Sequence, residues 1–241
     1  MDKLLIHGSS WTVGSYEKSD THNSDRLVDG GVADFLGTQY DVTNISVQDN
    51  MNFGIWIGLV EHLKKNSYNK ILICQNDPSL DFAIWRNPDT EWLKQFPYTK
   101  EELVDKNINT VTKLIDFLLN RFYESLGKMD IPVYIFGGPS VVNKQLAEQH
   151  GLHVIEPDWI TALVGKNPTA LESAYELDYM TQWLLNIFPE NQAEIKLDFV
   201  EHATKLSDKL DLYKKNPNFF AYHHPTQVGN EIYYELLRLK L

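Results

Sequence analysis

The 241-residue chain has one cysteine, Cys74, so it can form no intrachain disulfide. It has no run of about 18 apolar residues, the length that crosses a bilayer as a helix. Its first apolar run, Leu4-Leu5-Ile6, ends at His7 and is too short for a cleavable leader. A cytoplasmic protein that makes no membrane contact is expected. Positive charge is also scarce. The net charge is −11, and the basic clusters are the pairs Lys64-Lys65 and Lys214-Lys215. Binding to a phosphate backbone needs clustered Lys and Arg, so a nucleic-acid partner is excluded. Gly137-Gly138-Pro139 lacks both glycine-rich phosphate-binding patterns and reads as a helix-entry turn. His7, His22, His62, His150, His153 and His202 show no ligand spacing with Cys or carboxylates, and a His-His pair alone binds metal poorly. No metal and no cofactor are expected.

What the chain does contain is an alternation of two periods. Short apolar runs bounded by turn residues predict strands at 3–8, 40–47, 70–75, 132–137 and 152–155. Helical spacing falls between them. Residues 53–65 place Ile55, Leu59 and Leu63 four apart; 100–126 put Leu103, Val111, Leu114, Leu118 and Phe122 on one side; a further helix covers 140–150. Strands alternating with helices imply a parallel sheet covered on both faces, here an α/β three-layer sandwich of flavodoxin-like type with about five parallel strands. Helices are predicted over 170–187, 190–214 and 226–240, the last with Thr226 as N-cap and Val228, Ile232, Leu236 and Leu239 as its buried stripe. One domain over 1–241 accounts for the pattern, with a Pro- and Trp-rich insertion at 78–99 and C-terminal helices over 160–241. Cys74, in the run Ile71-Leu72-Ile73-Cys74, reads as a small buried residue at a strand end.

Polar residues gather where predicted strands end. The first strand runs into Gly8-Ser9-Ser10-Trp11-Thr12-Val13-Gly14, the second into Asn44-Ile45-Ser46-Val47-Gln48-Asp49-Asn50, and the third into Gln75-Asn76-Asp77-Pro78. In an open parallel sheet the carboxyl ends of the strands share one edge, where ligands bind. His223-His224-Pro225, just before the last helix, reaches the same edge from the other end of the chain. A serine hydroxyl becomes nucleophilic when a neighbouring base takes its proton, and an imidazole is such a base at neutral pH. Acyl transfer builds negative charge on a carbonyl oxygen. Amide donors such as the Asn76 side chain and the backbone N–H groups of Ser10 and Asp49 stabilise that charge.

These blocks resemble the SGNH hydrolases, the GDSL-type esterase and lipase superfamily. Its Gly-Asp-Ser-hydrophobic-Thr-x-Gly block is matched by Gly8 to Gly14, with Ser9 in place of Asp. Asn44 to Asn52 matches the second block, with Asp49 at the glycine of the oxyanion hole. Gln75-Asn76-Asp77 matches the third, and His224-Pro225 with Gly229 the last. The resemblance implies Ser10 as nucleophile and His224 as base, with an oxyanion hole of Ser10, Asp49 and Asn76. It implies no cofactor. Trp11, His223 and Trp85 are candidate substrate-binding residues, although aromatic side chains more often pack in cores. Ala221 stands where the family carries the aspartate of its triad, and no Asp or Glu occurs between Asp211 and Glu231, so a Ser–His dyad is expected. The implied activity is hydrolysis of a small-molecule or glycan ester. Small polar residues dominate the motif loops, which favours a short acyl group such as acetyl. Two alternatives stand beside it: a catalytically weak or inactive binding protein of this fold, and an acyltransferase using the same Ser–His dyad.

Overall fold

The computed structural model describes residues 1–18, 25–48, 50–83, 99–168, 171 and 173–241. In chain order the elements begin with β1 (Lys3–His7), α1 (Ser10–Val13), β2 (Ser15–Lys18), β3 (Asp25–Asp29), α2 (Val32–Leu36), β4 (Asp41–Asn44) and α3 (Asn52–Leu63). Next come β5 (Lys70–Gln75), α4 (Ser79–Ala83), α5 (Lys100–Asp105), α6 (Val111–Gly127), β6 (Val133–Gly137), α7 (Lys144–Gln149) and β7 (His153–Val154). The chain closes with α8 (Trp159–Val164), α9 (Ala174–Ile187), α10 (Gln192–Lys215), β8 (Phe220–Ala221), β9 (His224–Pro225) and α11 (Gln227–Lys240).

The central sheet has the order β4-β1-β5-β6-β7, with every neighbouring pair parallel. Counting the sheet strands alone, this is the 2-1-3-4-5 order of flavodoxin-like proteins. The chain leaves β1 toward one edge and later crosses back to β5, which opens a crevice beyond the carboxyl ends of those two strands. Alternation along the strands divides the core into two layers. Leu5, Ile71, Ile73 and Ile135 face one layer, packed by Phe53, Ile55 and Leu59 of α3 and by α6 and α9. Leu4, Ile6, Leu72, Cys74 and Phe136 face the other, packed by α2, α8 and α11. Cys74 is buried there.

The stripe expected over 100–126 is buried as read, but the segment forms two helices. Asn107 takes a left-handed φ of 52° after α5, and the Thr110 hydroxyl caps α6 by accepting from Lys113 N–H. The stripe expected on the last helix is displaced. Val228, Ile232 and Leu239 are exposed, and α11 instead buries Gly229, Asn230, Tyr233 and Leu237. Gly229 lies so close to the Phe219 carbonyl that a Cβ would sit 2.7 Å from it, and Asn230 Nδ2 donates to Ser15 Oγ at 2.9 Å. Close approach at Gly229 and the Asn230 hydrogen bond turn this face so that Tyr233 and Leu237 fill the core, while Leu236 of the expected stripe is partly buried against it. Thr226 is the N-cap as expected, accepting from Gly229 N–H. Two small antiparallel ribbons, β2–β3 and β8–β9, were not anticipated. Their strands are short or largely polar and give no period-2 apolar signal. No helix among the described residues is long and apolar enough to cross a membrane.

Candidate active site

Each motif is stitched to its neighbour at the carboxyl edge of the sheet. After β1 the chain turns sharply at Gly8, where a Cβ would lie 2.3 Å from Thr12 Oγ1 and 2.8 Å from Cys74 Cβ. Only glycine permits this approach, and it delivers Ser10 to the first position of the one-turn helix α1. A backbone N–H at that position has no acceptor within its own helix. Asn44, at the end of β4, donates through Nδ2 to the Thr12 carbonyl at 2.7 Å, and Ser46 Oγ donates to Thr12 Oγ1 at 2.9 Å. The second block is thereby fixed to the first. The Ser9 hydroxyl is buried and makes no hydrogen bond to another described residue.

Ser10 and His224 meet across the length of the chain: His224 Nε2 lies 2.8 Å from Ser10 Oγ. His224 is presented by the β8–β9 ribbon, in which Ala221 pairs directly with His224. The ribbon turns at Tyr222, whose φ is 44°. Its imidazole stacks on the Tyr16 ring of β2, with centroids 4.4 Å apart and planes inclined by 24°.

Asn76, at the end of β5, is 4% exposed. Its side-chain Nδ2 donates to the Asn50 carbonyl, which uses one amide hydrogen and leaves the other to point elsewhere. Its peptide is held from three sides. Asn52 Oδ1 accepts from Asn76 N–H at 2.8 Å, Asn52 Nδ2 donates to the Asn76 carbonyl at 3.2 Å, and Ser140 Oγ donates to that carbonyl at 2.9 Å. Behind these, Asp81 accepts from Asn52 Nδ2 and from Phe53 N–H, both at 2.9 Å. Gln75 Nε2 donates to Ser140 Oγ at 2.8 Å, and Tyr123 donates to Gln75 Oε1. Loss of water pushes the Asp81 carboxyl up to about 7, against the pull of these donors. Burial likewise raises the Tyr123 phenol. Asn52 stands in the second block with no role assigned by the resemblance, Asp81 lies in the Pro- and Trp-rich insertion, and Tyr16 carries no sequence signal.

Ser10, Asn76, Asp77, Leu80, Ser173, His223 and His224 line one cavity of about 260 Å³. His223 therefore reaches the site, exposed and edge-on to Tyr213 at 5.7 Å. Trp11 does not, and its expected substrate contact is corrected. It is 1% exposed and packs edge-to-face on Trp159 at 5.6 Å, with Tyr213 and Phe220 nearby. At the second helical position its side chain is directed into the core. Asp49 and Trp85 lie outside the described residues. Among the described residues, no group of three His, Cys, Asp or Glu side chains is placed to hold a metal ion.

No family model matches the chain, and no curated protein matches it. Among solved structures the chain is similar to a catalytic mutant of an acetylxylan esterase from Geobacillus stearothermophilus, at 13% identity over 99% of this chain and 93% of that one, with a TM-score of 0.40. It is similar to a lipase/acylhydrolase from Enterococcus faecalis, at 11% identity over 98% and 93% of the two chains and a TM-score of 0.40. A third is an α/β hydrolase enzyme from the metagenome of Lake Arreo, Spain, at 10% identity over 99% and 94%, with a TM-score of 0.45.

Proposed function

We propose that the chain is a serine ester hydrolase of the SGNH type, working through an acyl-enzyme on Ser10. The observation that carries this is the 2.8 Å contact of His224 Nε2 with Ser10 Oγ, at a cavity that Asn76 also lines. Ser10 Oγ attacks the ester carbonyl carbon and its proton passes to His224 Nε2. The carbonyl oxygen takes the negative charge, which the second hydrogen of Asn76 Nδ2 and the backbone N–H of Ser10 stabilise, with the Asp49 N–H, from outside the described residues, as the third expected donor. When the tetrahedral adduct collapses, the alcohol leaves with the proton from Nε2. Water then attacks the acyl-enzyme, giving its proton to Nε2, and the acid departs as that proton returns to Ser10 Oγ.

The substrate is a short acyl ester, with acetyl groups on carbohydrate hydroxyls as the favoured case. Leu80 is the one large apolar side chain among the described residues lining the 260 Å³ cavity, and Asp77, Ser173 and His223 offer hydrogen bonds to an alcohol. Incubation with p-nitrophenyl acetate and with a fluorophosphonate probe tests the reading. Hydrolysis and labelling that both vanish in Ser10→Ala support it, whereas labelling that survives this substitution assigns the nucleophile elsewhere.

A further inference from the structure

The β2–β3 ribbon is not part of the central sheet, and its aliphatic side chains do not fill a core. Leu27 and Val28 are 44% and 53% exposed. Tyr16 is the one apolar side chain of the ribbon that is buried among the described residues, at 4% exposure, and the ring it stacks on is His224. Its hydroxyl accepts from Gln48 Nε2 at 3.2 Å, which anchors the ring from the loop that follows β4. Strand β2 packs against both β8 and β9, so the ribbon that carries the tyrosine is held against the ribbon that carries the histidine.

We propose that Tyr16 is a positioning residue for the reaction of Ser10, its ring fixing the plane of the His224 imidazole and steadying the imidazolium that forms as the serine proton is transferred. The proposal rests on the esterase reading given above. As the Oγ–H bond breaks and the Nε2–H bond forms, the imidazole gains a full positive charge. A cation within about 6 Å of an aromatic centroid is attracted by the negative face of the ring, and the separation here is 4.4 Å. An uncharged imidazole gains less from the same face. The contact therefore strengthens on the way to the transition state, and a group that acts this way raises kcat and leaves KM nearly alone.

The distinguishing experiment compares wild type with Tyr16→Leu, with Tyr16→Phe, and with the chain carrying pentafluorophenylalanine at position 16. The readouts are kcat and KM for p-nitrophenyl acetate and the rate of fluorophosphonate labelling. Removing the ring is expected to lower kcat about tenfold with KM within twofold, and phenylalanine is expected to restore at least a third of the wild-type value. Fluorination keeps the shape of the ring and reverses the polarity of its face, so that variant should fall to the level of Tyr16→Leu. A fluorinated variant with the kcat of Tyr16→Phe overturns the proposal, as does a loss confined to KM. If Tyr16→Leu does not fold, the isosteric pair decides the matter alone. A wild-type chain that neither hydrolyses ester nor takes the probe overturns the esterase reading together with this one. A reactive wild type whose rate is indifferent to fluorination overturns only this one.

Discussion

Asn52 holds both main-chain polar groups of Asn76, accepting from its N–H at 2.8 Å and donating to its carbonyl at 3.2 Å. The amide that does so is fully buried and is itself held by Asp81. Truncation in Asn52→Ala strands a buried N–H and removes a donor from Asp81. Each buried group left without a partner costs about 1–3 kcal/mol. The melting temperature is expected to fall by about 5–10 °C. If Asn76 is the oxyanion donor proposed above, loosening it is expected to lower kcat by about 10–100-fold with little change in KM. Calorimetry and p-nitrophenyl acetate kinetics on the same preparation check both parts. Full activity in a destabilised variant would remove Asn76 from the oxyanion hole.

The contact of Ser10 with His224 predicts a non-additive pair. Ser10→Ala and His224→Ala should each lower kcat by at least about 10³-fold, since each removes half of one proton-transfer unit. The double variant should be no slower than either single one. Stopped assays with long incubation can measure the residual rates. Losses that multiply in the double variant would mean that the two residues act independently.

The legibility of this fold followed the chemistry of its buried faces. The sheet strands and the stripe from Leu103 to Phe122 were readable because their cores are filled by aliphatic and aromatic side chains at a fixed period. The last helix departs from its expected stripe because Tyr233 and Leu237 share their core face with Gly229 and Asn230, which bury backbone contact and a hydrogen bond, quantities that a hydrophobic pattern does not register. The site shows the same division. Ser10, Asn76 and His224 are legible through the resemblance, because the short blocks that carry them follow the order of the SGNH blocks along the chain. Asn52 and Asp81 act by holding a peptide, and any buried polar residue can do that, so composition gave no reason to choose them. Tyr16 could not be found from its neighbours at all, because β2 meets β9 only through tertiary packing.

Burial moves two ionisable groups in opposite directions. Asp81 is pushed up to about 7 from an ordinary 3.8, so the folded chain keeps a proton that the unfolded chain has lost, and the stability this gives disappears as pH rises toward 7. His7 is pushed down to about 4 from 6.5, first by burial and then by His62. The unfolded chain then holds a proton that the folded chain refuses, and the stability is lost as pH falls toward 4. Between about pH 4.5 and 6.5 the two slopes oppose each other. Relative to wild type, Asp81→Asn should therefore gain stability as pH rises across this window, and His7→Asn should lose it. Urea midpoints at three pH values give the two differences, and slopes of the same sign would refute the assignment.

Ala221 stands directly across the β8–β9 pair from His224, and a cavity of about 300 Å³ lined by Ala221, Ser15 and Tyr16 lies beside it. Side chains of directly opposed residues start about 5 Å apart, within reach of a carboxylate–imidazole hydrogen bond. A carboxylate at 221 supplies a countercharge to the imidazolium that forms during acylation, the role that a triad aspartate plays. The expected result is a several-fold rise in kcat for p-nitrophenyl acetate. It should come with a melting temperature lower by a few degrees, because the new carboxylate gives up water in a site where Ala221 is 1% exposed. A folded Ala221→Asp variant with unchanged kcat would mean that the imidazole already receives its full orientation from the partners it has, the Tyr16 ring among them.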